Sequence, residues 1–253
     1  MMATVTMRVF RGDPKGGDFR QYQVESGVGM VVLDLIHRIQ ATQAPDLACR
    51  WNCKAGKCGS CSAEIDGKPR LMCMTRMDIF KPGETITVAP MRTFPLIKDL
   101  VTDVSYNYEK ARSIPPLRPK PPEPDGTYRM MQEDIDRIQE FHKCIECFLC
   151  QDVCHVIRDH EELKRSFAGP RFFIKVAGLD MHPLDTREDR PEFVRKQAGV
   201  GLCNITKCCT EVCPEHIHIT DNGIIPMKER MADEFDPVLW VVRKLRGAGK
   251  PSA

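Results

Sequence analysis

No stretch of this chain approaches the roughly 20 consecutive apolar residues that a helix needs to cross a bilayer. The greasiest segments, 29–36 and 238–242, are far shorter. Neither sign of charge dominates, since 37 Lys and Arg face 35 Asp and Glu. Aromatics are sparse, and no basic tract is interleaved with them, so no nucleic acid is expected as a partner. The opening residues, 1–13, read as a strand and lack the apolar core of a secretory signal. With that signal missing and the cysteines odd in number, a disulfide framework is not expected. A reducing, cytosol-facing compartment is, because there thiols stay available as ligands. The chain by these measures is soluble, or held at a membrane through a partner.

What the chain has in quantity is cysteine. Eleven of its 13 cysteines fall into three groups. The first is Cys53-x₄-Cys58-x₂-Cys61, with Cys73 following beyond an eleven-residue gap. This is the plant-type [2Fe–2S] run, in which four thiolates complete the coordination of two irons. Gly56 and Gly59 suit a loop that must wrap closely around such a group. A zinc site would pair two short Cys-x₂₋₄-Cys units across a longer gap, which the uneven spacing does not resemble.

The second group is Cys144-x₂-Cys147-x₂-Cys150-x₃-Cys154, and the third is Cys203-x₅-Cys209-x₃-Cys213-Pro214. In a bacterial two-cluster ferredoxin each run has the first spacing, and its fourth Cys ligates the other cluster. By that crossing rule Cys144, Cys147, Cys150 and Cys213 hold a [4Fe–4S] cluster. The third run has Thr206 where its second cysteine would stand. Cys154, Cys203 and Cys209 remain, and three thiolates suit a [3Fe–4S] cluster. Cys208 and Cys49 are expected to be buried, inert cysteines, although a fourth ligand from Cys208 is conceivable.

The pattern around these groups divides the chain into an α+β architecture. In residues 1–105, Val5, Met7 and Val9 alternate with polar residues, and Tyr22 and Val24 mark a second strand. Val32, Leu35, Ile36 and Ile39 recur at helical spacing through about Ala41. Segments 62–65 and 68–72 form a hairpin turned by Asp66-Gly67, and 85–89 is a last strand. Together they predict a plant-type, β-grasp-like ferredoxin domain. Six prolines between Ile114 and Gly126 make residues 106–127 an extended linker.

Residues 128–253 read as an all-α, bacterial-type two-cluster ferredoxin domain. Met131, Ile135, Ile138 and His142 share one helical face. Pro170, Pro191, Pro226 and Pro237 each sit where a first-turn proline is tolerated. Asp236 and Gly247 are candidate caps of a last helix whose Arg243, Lys244 and Arg246 suit a solvated C-terminal end.

In order and spacing these motifs, with the Phe94-Pro95-Leu96-Ile97-Lys98-Asp99-Leu100 segment, resemble the iron–sulfur subunit of succinate dehydrogenases and fumarate reductases. The resemblance covers nearly the whole chain. It implies an electron-transfer subunit of a succinate:quinone oxidoreductase, set between an FAD-containing flavoprotein subunit and membrane-anchor subunits that bind quinone. Haem belongs to some anchors of this kind. The chain would then be peripheral, on the cytoplasmic face of the inner membrane, and would have no catalytic residue of its own.

His155 stands where many members have proline, Arg158 and Asp159 stand in the region of a family tryptophan, and Asn204 replaces a frequent histidine. The quinone pocket is therefore unassigned, and His155 is expected to be a hydrogen-bonded neighbour of a cluster. A free ferredoxin-like carrier and the cluster subunit of another quinone-linked dehydrogenase are the alternatives. The first would usually be smaller and strongly acidic. The second often carries a further cysteine-rich domain, for which the roughly forty residues after Cys213 leave no room.

Overall fold

The structure, a computed structural model, describes residues 3–233, 237–238 and 241–242. Strands β1 (Ala3–Asp13) and β2 (Gly16–Ser26) form a long antiparallel hairpin with Val5 opposite Val24 and Met7 opposite Tyr22. Strand β5 (Thr85–Ala89) runs parallel to β1, placing Ile86 beside Met7 and Val88 beside Val9. On its other side β5 pairs antiparallel with β3 (Ser62–Ile65), and β4 (Lys68–Leu71) completes a mixed sheet of order β2-β1-β5-β3-β4.

Helix α1 (Val32–Thr42) buries Val32, Leu35, Ile36 and Ile39 in one core with Met7, Val9, Ile86 and Val88. Each such side chain contributes about 1.5–3 kcal/mol on full burial. The β3–β4 turn has Asp66 at φ 48° and Gly67 at φ 73°, the double left-handed geometry that an Asp-Gly pair favours.

The first N–H groups of a helix have no partner inside it. In α1 the Val32 N–H donates to the Thr75 carbonyl (2.9 Å) and the Leu33 N–H to that of Met72 (3.1 Å). Asp34 accepts from the Val31 N–H. The start of α1 thus grips the backbone on both sides of Cys73. A short antiparallel pair, β6 (Leu96–Lys98) and β7 (Val101–Thr102), follows the sheet. At its turn the buried Asp99 accepts from the N–H groups of Gly12 and Ala48 and from Arg11 Nε.

Helix α2 (Ser105–Arg112) lies within the stretch expected to be linker, and the proline strap follows it. The strap is pinned rather than loose. Lys120 N–H donates to the Leu184 carbonyl and Thr186 N–H to that of Arg118. Arg190 is fully buried beneath it, with Nε 2.5 Å from Asp185 and its two terminal nitrogens donating to the carbonyls of Pro115 and Pro116.

Beyond the strap the described residues are helical: α3 (Gln132–Gln139), α4 (Leu149–Asp152), α5 (His155–Arg158), α6 (Pro170–Asp180), α7 (Arg190–Lys196), α8 (Cys208–Glu211) and α9 (Ile225–Asp233). Helix α6 supplies Phe172, Phe173, Ile174, Val176 and Ala177 to a second core, shared with Phe141, Phe167, Ile219 and Ile224. Pro170 opens α6, and Pro191 and Pro226 lie in the first turns of α7 and α9.

The face expected for Met131, Ile135, Ile138 and His142 packs only in its middle. Met131 and His142 are exposed, while Ile138 and Phe141 are buried. Helix α3 ends at Gln139 and tightens into a 3₁₀ turn over Glu140–Lys143, and the smaller repeat turns Phe141 inward. Asp236, Gly247, Arg243, Lys244 and Arg246 lie outside the described residues.

Breaking a buried ion pair by removing one partner costs about 3–5 kcal/mol, because the other charge stays buried. Arg190→Met is therefore expected to lower the thermal midpoint and raise hydrogen exchange at residues 118–120 and 184–186. Unchanged exchange there would show that the strap is held by something else.

Candidate metal centres

None of the thirteen cysteines is paired in a disulfide. Those of the first group stand on a loop whose backbone turns left-handed at Lys54, Gly56 and Gly59. Such turns aim successive N–H groups into the concave side of a loop. The N–H groups of Ala55 and Lys57 approach Cys53 Sγ at 3.4 and 3.3 Å, and that of Cys73 approaches Cys61 Sγ at 3.5 Å. Burial pushes Cys61 up to about 12. At Cys58 burial opposes, but hydrogen bonds from Ser60 and Cys53 prevail and bring the thiol down to about 6.

The second and third groups share one backbone shape. Residues Glu146 and Phe148 are left-handed between Cys144 and Cys150, and Ile205 and Lys207 are left-handed between Cys203 and Cys209. Each loop then enters a four-residue helix, α4 or α8. Matched in this way, Thr206 takes the place of Cys147.

The thiols of the two loops interleave. Burial first, and then the charges of Cys144 and Cys213, hold Cys147 up to about 12. Cys150 is raised by burial and by Cys147, Cys144, Cys209 and Cys213. Cys154 is pushed to about 12 by burial, with Cys208 and Cys209 adding to it. Cys209 reaches about 11 through burial, moderated by the Thr220 hydroxyl and raised again by Cys208 and Cys203. Cys144, Cys147, Cys150 and Cys213 thus sit together, and Cys154, Cys203 and Cys208 gather around Cys209. A thiol held this high is protonated at neutral pH, and metal loading displaces that proton.

Among the described residues no three His, Cys, Asp or Glu close on a single ion. Thiols spaced more widely, beside inward-facing N–H groups, suit a core in which irons and sulfides lie between the ligands. The donor set fits iron–sulfur clusters.

Three expectations change. Cys208 is half-buried rather than buried, with its sulfur 3.3 Å from the Thr206 hydroxyl and near the third group. Cys49 is also half-buried; what burial it has pushes its thiol up to about 12. His155 Nε2 is buried without a hydrogen-bond partner.

The seam between the modules was not foreseen at all. A Cβ on Gly59 would lie 2.6 Å from Cys147 Cα and 2.8 Å from its nitrogen. The Ser62 hydroxyl sits 2.8 Å from the Cys147 carbonyl oxygen, and the Thr93 N–H donates to Asp152. Glu64, on β3, takes two hydrogen bonds from Arg92 and lies 3.5 Å from Arg158 of α5. Lys57 of the first loop pairs with Glu215, just past Cys213. Each is a pairing of residues far apart in sequence, which no local pattern announces.

A sheet module and a helical module, each shaping cysteine loops around inward N–H groups, define a two-module iron–sulfur protein. Residues 6–109 match the 2Fe-2S iron-sulfur cluster binding domain family, and residues 140–217 match the 4Fe-4S dicluster domain family. The chain is 33% identical over 227 residues to the fumarate reductase iron-sulfur subunit of Mycobacterium tuberculosis, covering 86% of this chain and 89% of that one. It is 28% identical over 224 residues to a mitochondrial succinate dehydrogenase [ubiquinone] iron-sulfur subunit of Oryza sativa, covering 85% and 78%. A solved structure described as the Mycobacterium smegmatis Sdh1 complex in the apo form contains a chain of 64% identity. It aligns with a TM-score of 0.91 over 94% of this chain and all of that one. The chain belongs to the family of succinate dehydrogenase and fumarate reductase iron–sulfur subunits. No helix among the described residues is long and apolar enough to cross a membrane.

Gly59→Ala tests the seam against Gly83→Ala. Both glycines are left-handed, at φ 67° and 81°, but nothing lies within 4 Å of a Cβ on Gly83. Left-handed geometry alone costs an alanine about 1–2 kcal/mol. Gly59→Ala is expected to lower the thermal midpoint well beyond Gly83→Ala and to reduce cluster content, read by visible absorbance. Equal effects would mean that the two loops are not packed backbone to backbone.

Proposed function

We propose that this chain is the electron-transfer subunit of a membrane-bound succinate:quinone oxidoreductase, between the FAD of a flavoprotein subunit and the quinone of an anchor. In this reading it is peripheral, on the cytoplasmic face of the inner membrane. Cys53, Cys58, Cys61 and Cys73 hold a [2Fe–2S] cluster. Cys144, Cys147, Cys150 and Cys213 hold a [4Fe–4S] cluster, and Cys154, Cys203 and Cys209 a [3Fe–4S] cluster. When bound, these groups supply one-electron transfer.

The observation that carries the assignment is the repeated loop with threonine in one ligand position. Two loops of one backbone shape differ there, Cys147 against Thr206, so one site is left a thiolate short.

The protein's own residues would hold and insulate. The N–H groups of Ala55 and Lys57 steady Cys53, and α1 fixes the return of Cys73 through the carbonyls beside it. Gly59 and Ser62 keep the first loop against Cys147, which holds the first and second sites close together. Burial of Cys147, Cys150, Cys154 and Cys209 keeps water from the thiols.

EPR on the native complex, captured anaerobically through a tag on this chain, is the test. A three-iron signal is expected before succinate, and its loss with the appearance of a reduced [2Fe–2S] signal afterwards. If dithionite reduces the clusters but succinate does not, in a complex that retains its flavin, the succinate assignment falls. Cys208→Ser is expected to leave the three-iron signal in place, and its loss would make Cys208 a ligand.

A further inference from the structure

Arg171 is an unusual residue for its position. It lies in the first turn of α6, directly after Pro170, where the helix macrodipole disfavours a cation. Its side chain is 11% exposed, and its Nε has no hydrogen-bond partner. A guanidinium cannot shed its charge at neutral pH, so a buried one requires anions. The carboxylate that meets it is Glu146, the left-handed residue between Cys144 and Cys147. Glu146 is more exposed than Arg171, at 39%, and so is the better screened of the two. Asn107, Tyr108, Lys110, Phe148 and Gln151 line the same cleft as the pair.

The pair is placed where its charges reach the cysteine loop. Glu146 stands two residues after Cys144 and directly before Cys147, and Arg171 is held against its carboxylate. Two charges of opposite sign are therefore fixed at the loop of the second group. An iron–sulfur core with four thiolates is anionic, and reduction adds one more negative charge. A fixed cation nearby favours the reduced state and a fixed anion the oxidised state.

We propose that Arg171 and Glu146 set the reduction potential of the cluster bound by Cys144, Cys147, Cys150 and Cys213, Arg171 raising it and Glu146 lowering it. Arg171 is a positioning residue, acting through the field at the thiolates, and Glu146 is its counterweight. This rests on the assignment of that cluster proposed above. It adds the residues by which this chain would adjust the middle of its three sites independently of the other two. Two further ion pairs at the cysteine loops, Lys57–Glu215 and Lys207–Asp221, are formed by lysines that are 71% and 50% exposed and so are more strongly screened.

The test is an EPR-monitored redox titration of the captured complex carrying Arg171→Gln, Glu146→Gln, both together, or Arg171→Lys. The [4Fe–4S] midpoint is expected to fall in Arg171→Gln and rise in Glu146→Gln. It is expected to return toward the native value in the double variant and to stay near it in Arg171→Lys. The [2Fe–2S] midpoint should not move in any of them. Shifts of one sign in both single variants would reveal general loosening of the loop and overturn the proposal, as would no shift at all. If Arg171→Gln does not assemble the cluster, the more exposed Glu146 decides alone: a rise supports the proposal, and a fall or no change overturns it. A native complex without a reduced [4Fe–4S] signal would instead refute the cluster assignment.

Discussion

The backbone contact between the two modules at Gly59 and Cys147 governs how the two halves of this protein are arranged. Two loops that must each curl around a metal centre are pressed together with no space for a single methyl group. Glycine is required twice over there, for the left-handed turn and for the closeness. Ser62, Thr93, Glu64 and Arg92 take up positions around that contact, and their hydrogen bonds fix its orientation. Electron transfer weakens steeply with distance, so a seam of this kind sets a rate as well as a shape. The sheet and helix behind it can be read as the scaffold that holds the first loop to the second.

A few charges are enclosed by the fold, each within a set of hydrogen bonds. Arg190 sits under the strap with Asp185 and two proline carbonyls, the latter being acceptors that proline retains although it lacks an N–H. Asp99 gathers two N–H groups and Arg11 at the far edge of the sheet. At the seam, burial pushes Asp152 up to about 7, and its second oxygen has no partner, while Glu64 beside it is matched by two arginines. These polar pins lie between elements rather than within them. They fix relative placement, where apolar packing alone is tolerant of small shifts.

Much of the first module was legible because its signals are local. Alternation at Val5, Met7 and Val9, helical spacing at Val32 to Ile39 and an Asp-Gly turn each depend on a few neighbouring residues. The cysteine spacings were equally clear, as metal chemistry imposes them directly on the chain. Helix α2 escaped because its short sequence, Ser105–Arg112, has little apolar periodicity and only Asn107 is buried. The inward turn of Phe141 depended on a change from α to 3₁₀ winding at Gln139, which composition does not signal. The Arg190 latch, the Gly59 contact and the Arg171–Glu146 pair join residues far apart in sequence or arrive through the tertiary fold. Arginine at these positions looks like any other surface cation until the fold encloses it.

The interleaving of the two later cysteine loops also bears on how the molecule is made. Cys213 stands with Cys144, and Cys154 stands with Cys209, so each thiol set draws on both runs. A nascent chain that has left the ribosome only as far as residue 200 has neither set in full. On the ligand sets proposed above, the three-thiol site is complete only once Cys209 has been made and the four-thiol site only once Cys213 has, so both wait for the last part of the module. The strand-rich module, whose four cysteines lie within residues 53–73, carries no such delay.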